Sequence, residues 1–124
     1  MTVYADNAAT TQMSQAAIDT MVRYFATDYG NASQPYSFSR SAKDAIKQAR
    51  EIIADCIGAK PEEIYFTSGG TESDNWAIKC TAFSSKKHGA IITSAFEHHA
   101  VLRACEFVET MGYPVVYLSP NSNG

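Results

Sequence analysis

Ile64-Tyr65-Phe66-Thr67-Ser68-Gly69-Gly70-Thr71-Glu72-Ser73-Asp74-Asn75-Trp76-Ala77-Ile78 is the stretch that decides how this chain is read. A short β-rich apolar run, Ile64 to Thr67, stops at Ser68-Gly69-Gly70. Thr71 then caps a predicted helix with Trp76, Ala77, Cys80 and Phe83 on one face. A strand that breaks at glycines into a helix start aims several backbone N–H groups at one spot. The helix dipole adds partial positive charge there, which suits a phosphate or carboxylate. The glycines allow close backbone approach, and the Thr71 hydroxyl offers one further donor.

The rest of the second half repeats the pattern. Ala90 to Ser94 reads as a buried strand, Glu97-His98-His99 leads into a helix bearing Val101, Leu102, Cys105 and Val108, Gly112 closes it, and Pro114 to Leu118 is another strand. The order β-α-β-α-β predicts an α/β protein with a largely parallel sheet. Ligands in such sheets sit beyond the carboxyl ends of the strands, where both Gly69-Gly70-Thr71 and Glu97-His98-His99 fall. The first half is an N-terminal helical arm. Val3 to Ala5 is a candidate short strand, followed by a polar turn over Asp6 to Thr11. Ser14 caps a helix carrying Ile18, Met21, Val22 and Phe25, expected to end near Tyr29-Gly30-Asn31 on a left-handed residue. A Ser/Gln/Pro/Tyr loop follows. Ser41 to Ile57 is the clearest helix, stopped by Gly58.

The 124 residues support one core and not two ordinary domains. An apolar fraction of 45% and a charged fraction of 19% are those of a soluble globular protein. A net charge of −3 leaves no footprint for nucleic acid or an anionic membrane, and no apolar run reaches bilayer length. The N-terminus lacks the basic-then-apolar order of a signal peptide, so a cytoplasmic location is the default expectation. Cys56, Cys80 and Cys105 each fall on the apolar stripe of a predicted helix and are expected to be buried thiols acting as small hydrophobes.

Ser-Gly-Gly-Thr alone admits two readings, an anion cradle or a plain strand–turn–helix junction. It is neither a Walker A loop nor a G-x-G-x-x-G motif. Glu97-His98-His99 is not expected to bind metal, because adjacent ligands at a strand end point apart. A histidine over a crevice better suits stacking on a ring or shuttling a proton. His88, in a Lys/Ser/Gly loop, reads as a solvated surface residue.

Taken together the motifs resemble the N-terminal portion of a cysteine desulfurase, a fold-type I enzyme of the class V aminotransferase superfamily that depends on pyridoxal 5'-phosphate (PLP). The markers occur in the family's order: Tyr4 to Thr11, Gly30-Asn31-Ala32-Ser33, Ala49-Arg50, Phe66 to Asn75, and Glu97-His98-His99-Ala100-Val101. They look more like the NifS/IscS branch than the SufS branch. The resemblance implies that residues 1–13 form an arm belonging to the family's small domain. Residues 14–124 would be the first part of the PLP-binding large domain, holding an incomplete, mostly parallel sheet. It implies that Gly70 and Thr71 hold the PLP phosphate and that His98 stacks on the ring and moves protons as a catalytic residue. Asn7, Ala8 and Thr10 would line the substrate entrance. His99 starts a helix and has no assigned chemistry.

This chain departs from the family at Ala32, where a proline is usual, at Tyr36 in a histidine position, and at Ser39 in a glycine position. No lysine stands in the Ser/Thr-x-His-Lys context of the covalent anchor. The aspartate facing the ring nitrogen, the carboxylate-binding arginine and the nucleophilic cysteine are family features expected further downstream. The expected parent reaction converts L-cysteine to L-alanine and leaves sulfur on an enzyme cysteine, for Fe–S cluster assembly or thiolation. The 124 residues alone are expected to be inactive. Partners implied are L-cysteine, a second copy or the C-terminal portion, and a sulfur-accepting scaffold. Another PLP β-lyase such as a selenocysteine lyase, a non-catalytic dimerisation module, and a small nucleotide-binding α/β domain are the alternatives.

Overall fold

Local signals build the helices. Ser14 Oγ accepts from Ala17 N at 3.3 Å and starts α1, Gln15–Ala26. This stores one of the unpaired first-turn donors in a side chain of the expected type. Helix α2, Arg40–Ile57, ends on Gly58 in the left-handed region at φ 67°, with the glycine N–H on Ala54 and Asp55 carbonyls. That is the conformation glycine adopts without Cβ strain. The computed structural model describes residues 2–85 and 89–123. The surface role expected of His88 lies outside them. The chain divides into two units, Met1–Tyr65 and Phe66–Gly124.

In the first unit a turn closes over residues 6–10, where Ala9 N and Thr10 N both donate to the Asp6 carbonyl and the Thr11 hydroxyl donates to Asn7 O. Val3 to Ala5 forms no strand, having no partner among the described residues. Helix α1 ends at Ala26, earlier than expected, and Gly30 is not a left-handed cap. A Cβ on Gly30 would stand 2.6 Å from the Phe38 carbonyl oxygen, so the glycine serves a close backbone approach. Tyr29 meets Phe38 edge-on nearby, at 5.1 Å. Asp28 accepts from Arg23 Nε and from Ser41 Oγ, both at 2.7 Å, and so ties the end of α1 to the start of α2. A turn over Pro61–Glu63 follows α2, and Arg50 Nε donates to Ile64 O at 3.2 Å.

In the second unit β1, Ile91–Ser94, pairs parallel with β2, Val115–Leu118, in the register Ile91 to Val115 through Ser94 to Leu118. Helix α5, His99–Thr110, connects them as the β-α-β pattern requires, with Gly112 at φ 89° after its end. The helix begun at the double glycine runs as α3, Gly70–Asn75, a π-helical turn Trp76–Cys80, and α4, Thr81–Ser84. The π turn inserts an extra residue and shifts the apolar face expected from a simple 3.6 period. Helix α3 and the π turn both pack against α5. Ala82, Ala100, Ala104, Cys105 and Val108 form the buried core of this unit.

Two further expectations are corrected. Ile64 leaves the preceding turn in extended backbone, yet Ile64 to Thr67 is no strand. A strand is a pairing relation, and the two-stranded sheet consists of β1 and β2 alone. Of the three thiols only Cys105 is buried; Cys56 and Cys80 are exposed, with their faces left uncovered among the described residues. The same shortage of cover leaves Phe25 at 73% and Ile57 at 68% exposure.

Candidate functional site

The junction at the double glycine is built almost wholly from short polar side chains. Gly69 occupies the cap position of α3 and offers no side chain to the first-turn donors. Ser73 N closes onto Gly69 O at 3.2 Å as the first intrahelical bond. Among the described residues no acceptor takes the N–H groups of Gly70, Thr71 or Glu72, and none meets the Thr71 hydroxyl. Free donors at a helix start, with the dipole behind them, are the requirement of an anion site.

Two side-chain links hold the turn. Glu72 Oε2 accepts from Ser68 N at 2.6 Å and from Ser68 Oγ at 2.8 Å. These bonds, the backbone one foremost, hold its carboxyl below the ordinary carboxylate range. Across the turn the hydroxyls of Thr67 and Ser73 meet at 2.7 Å, and the Thr67 hydroxyl also donates to Gly69 O. The first link escaped the sequence reading. Its signal is a Ser four places before a Glu, one longer than the familiar capping box.

His98 is the cap residue of α5. Its Nδ1 accepts from Ala100 N at 3.1 Å. A backbone N–H can only donate, so Nδ1 carries the lone pair and the neutral ring keeps its proton on Nε2. His98 is exposed, while Ala100, whose N–H it accepts, is buried. His99 is the first residue of α5, as expected, and its ring lies 6.4 Å from that of His98. Ser94 Oγ donates to Glu97 at 2.7 Å and shapes the turn between β1 and His98.

Gly70, Thr71 and His98 therefore belong to one unit, on two elements (α3 and the cap of α5) that pack together. Asn7, Ala8 and Thr10 are exposed in the turn of the other unit. Cys105 lies in the core beside the Thr93 hydroxyl. Burial pushes its thiol up, with the Glu109 and Glu97 carboxylates adding to the effect and Thr93 opposing it.

The chain itself demands neither glycine of the junction. Gly69, at φ 161°, is extended backbone that any residue adopts, Gly70 is helical, and a Cβ on either would meet nothing within 4 Å. The open space above unpaired N–H donors fits a phosphate-bearing group.

The chain belongs to the aminotransferase class-V family, whose profile matches residues 3–124. Members of that class depend on PLP. Within it the chain is similar to cysteine desulfurase IscS of Methanosarcina thermophila, 48% identical over 123 residues, covering 98% of this chain and 30% of that protein. It is also similar to cysteine desulfurase IscS of Clostridium botulinum (strain Hall), at 44% identity over 123 residues, 98% of this chain and 31% of the relative. Among solved structures, SspA in complex with cysteine matches with a TM-score of 0.88 at 44% identity, over 97% of this chain and 35% of that one. A NifS-like protein matches with a TM-score of 0.88 at 36% identity, over 95% of this chain and 33% of that one. The chain thus spans about a third of the length of these relatives. The resemblance to the N-terminal portion of a cysteine desulfurase and the α/β expectation are borne out. Among the described residues no helix is long and apolar enough to cross a membrane.

Proposed function

We propose that this chain is the PLP-gripping portion of a cytoplasmic L-cysteine desulfurase. Gly70 and Thr71 hold the cofactor's phosphate through their N–H groups and the Thr71 hydroxyl. His98 lies against the cofactor's ring and serves in proton transfer with its Nε2–H as donor; to take a proton, Nδ1 must release Ala100 N. The bond from Ala100 N to Nδ1 fixes the ring's orientation and its tautomer. When bound, PLP supplies an electron sink for breaking bonds next to the substrate's amine-bearing carbon. Asn7, Ala8 and Thr10 line the substrate entrance. Sulfur passes from L-cysteine to a cysteine thiol outside this chain, giving L-alanine and a persulfide, which feeds Fe–S cluster assembly or thiolation through an acceptor protein. The assembled enzyme is a homodimer, or joins this chain to a C-terminal portion.

The observation that carries this reading is the set of unpaired donors at Gly70, Thr71 and Glu72 on a helix packed against the one His98 caps. The names of the relatives support the choice of reaction. None of the chain's lysines stands in the anchoring context, so the 124 residues by themselves release no alanine from cysteine. Equilibrium dialysis of PLP against the chain and its Thr71→Ala variant tests the grip. Losing one hydrogen bond to a charged group weakens binding by about tenfold or more. Equal retention of PLP by both proteins would count against the assignment.

One observation favours a second reading, a non-catalytic interaction module. Helix α1 buries no residue, and Val22 and Phe25 stand 54% and 73% exposed on its apolar face. Faces of this kind mark interaction surfaces. Sedimentation showing stable self-association without PLP uptake would select that reading.

A further inference from the structure

A glutamate three places after a helix cap ordinarily reaches back to the cap residue's own N–H. Glu72 does not. Its Oε2 passes over Gly69 to Ser68, where it takes both the N–H, at 2.6 Å, and the hydroxyl, at 2.8 Å. The carboxylate is thereby held on the chain-entry side of the turn. It leaves the Gly70 and Thr71 N–H groups open, although a carboxylate in a first helical turn is itself a good occupant for them. Thr67 and Ser73 bridge the same turn by their hydroxyls, so Ser68-Gly69-Gly70 is held from two sides by side chains that use none of the free donors.

We propose that Glu72 is a positioning residue for the phosphate grip. By clamping Ser68 it fixes the turn that presents the Gly70 and Thr71 N–H groups, and it keeps its own charge from occupying them. This rests on the reading of Gly70 and Thr71 as the phosphate site. Glu72 touches neither cofactor nor substrate in this role. It acts through Ser68. The alternative is a side chain that merely stabilises the helix start, with no bearing on the anion.

The two roles separate in a titration of the full 124-residue chain with inorganic phosphate and with PLP, followed through the backbone amide signals of Gly70 and Thr71 and through equilibrium dialysis. Glu72→Ala removes two hydrogen bonds to a charged acceptor, and the turn's loss of order weakens both ligands about tenfold. Glu72→Gln keeps an acceptor oxygen for Ser68 and restores affinity to within about threefold of the parent chain. Ser68→Ala, which deletes only the hydroxyl end of the clamp, gives an intermediate loss and serves if Glu72→Ala fails to fold. If Glu72→Ala or Ser68→Ala lowers the urea midpoint while phosphate affinity and the Gly70 and Thr71 amide shifts stay as in the parent, Glu72 only stabilises the helix and the proposal is overturned. Tighter phosphate binding by Glu72→Ala would overturn it too, since the carboxylate would then be a competitor. Thr71→Ala controls for the underlying reading: if it too leaves binding unchanged, the phosphate site itself is wrong and the clamp falls with it.

Discussion

Replacing Gly70 by alanine separates what the fold requires from what a ligand requires. Gly70 is helical, and the added methyl would meet no atom of the chain within 4 Å. Alanine restricts the unfolded chain, which stabilises a protein by about 0.4–1 kcal/mol where the backbone already suits it. With a urea dependence of roughly 1–3 kcal/mol per molar, the midpoint should hold or rise by a few tenths molar. The ligand is affected in the opposite sense. A helical Cα–Cβ bond tilts toward the helix N-terminus, so the methyl leans over the opening where the Gly70 and Thr71 donors emerge. A phosphate oxygen displaced from one of them loses a charge-assisted bond of about 1.5–3 kcal/mol, or roughly ten- to a hundredfold in affinity. Circular dichroism during urea unfolding and equilibrium dialysis of PLP measure the two effects on the same variant. A fall in stability beyond about 1 kcal/mol, which exceeds the range for tolerated glycine replacements, would refute the packing argument. Unchanged PLP affinity would refute the site.

Other substitutions and conditions have expectations of their own. Gly30→Ala puts its Cβ 2.6 Å from a carbonyl oxygen, so it should destabilise by about 1–3 kcal/mol, in contrast to Gly70→Ala; an unchanged urea midpoint would show that the loop yields freely. Native alkylation should modify Cys56 and Cys80 and spare Cys105 until the chain unfolds. The raised thiol of Cys105 contributes stability that is full below the ordinary thiol range and is lost as pH climbs through it to the folded value; mass spectrometry showing rapid native labelling of Cys105 would contradict its burial. Asp28, held below the ordinary carboxylate range by the Ser41 hydroxyl first and by Arg23, contributes stability present above that range and lost as pH falls through it to the folded value. Asp28→Asn should therefore flatten the acid limb of the stability profile, and an identical limb would remove this link between α1 and α2.

What could be read in the sequence was what is local. The Ser14 cap, the Gly58 stop, the parallel strands around α5 and the start of α5 at His99 depend on a few neighbouring residues and one hydrogen-bond pattern. Ile64 to Thr67 has the composition of a strand, yet strandhood needs a partner, which composition does not carry. The exposure of Cys56 and Cys80 is non-local in the same way: a stripe at helical spacing marks a face able to be buried and leaves open what buries it. Gly30 was legible as special, but the reason, the approach of the Phe38 carbonyl, lies several residues further along the chain. The π turn follows from no periodicity in the sequence. At the proposed site, Gly70, Thr71 and His98 were marked by residue type, whereas the Glu72–Ser68 bonds follow a spacing one residue longer than the familiar pattern.

A crystal structure of the chain with PLP, either alone or within its assembled enzyme, would decide whether Gly70 and Thr71 grip the phosphate. Phosphate oxygens should lie at hydrogen-bond distance from the Gly70 and Thr71 N–H groups, with the His98 ring against the cofactor and its Nδ1 still on Ala100 N. A phosphate bound elsewhere, or a His98 ring turned from the cofactor, would contradict this reading.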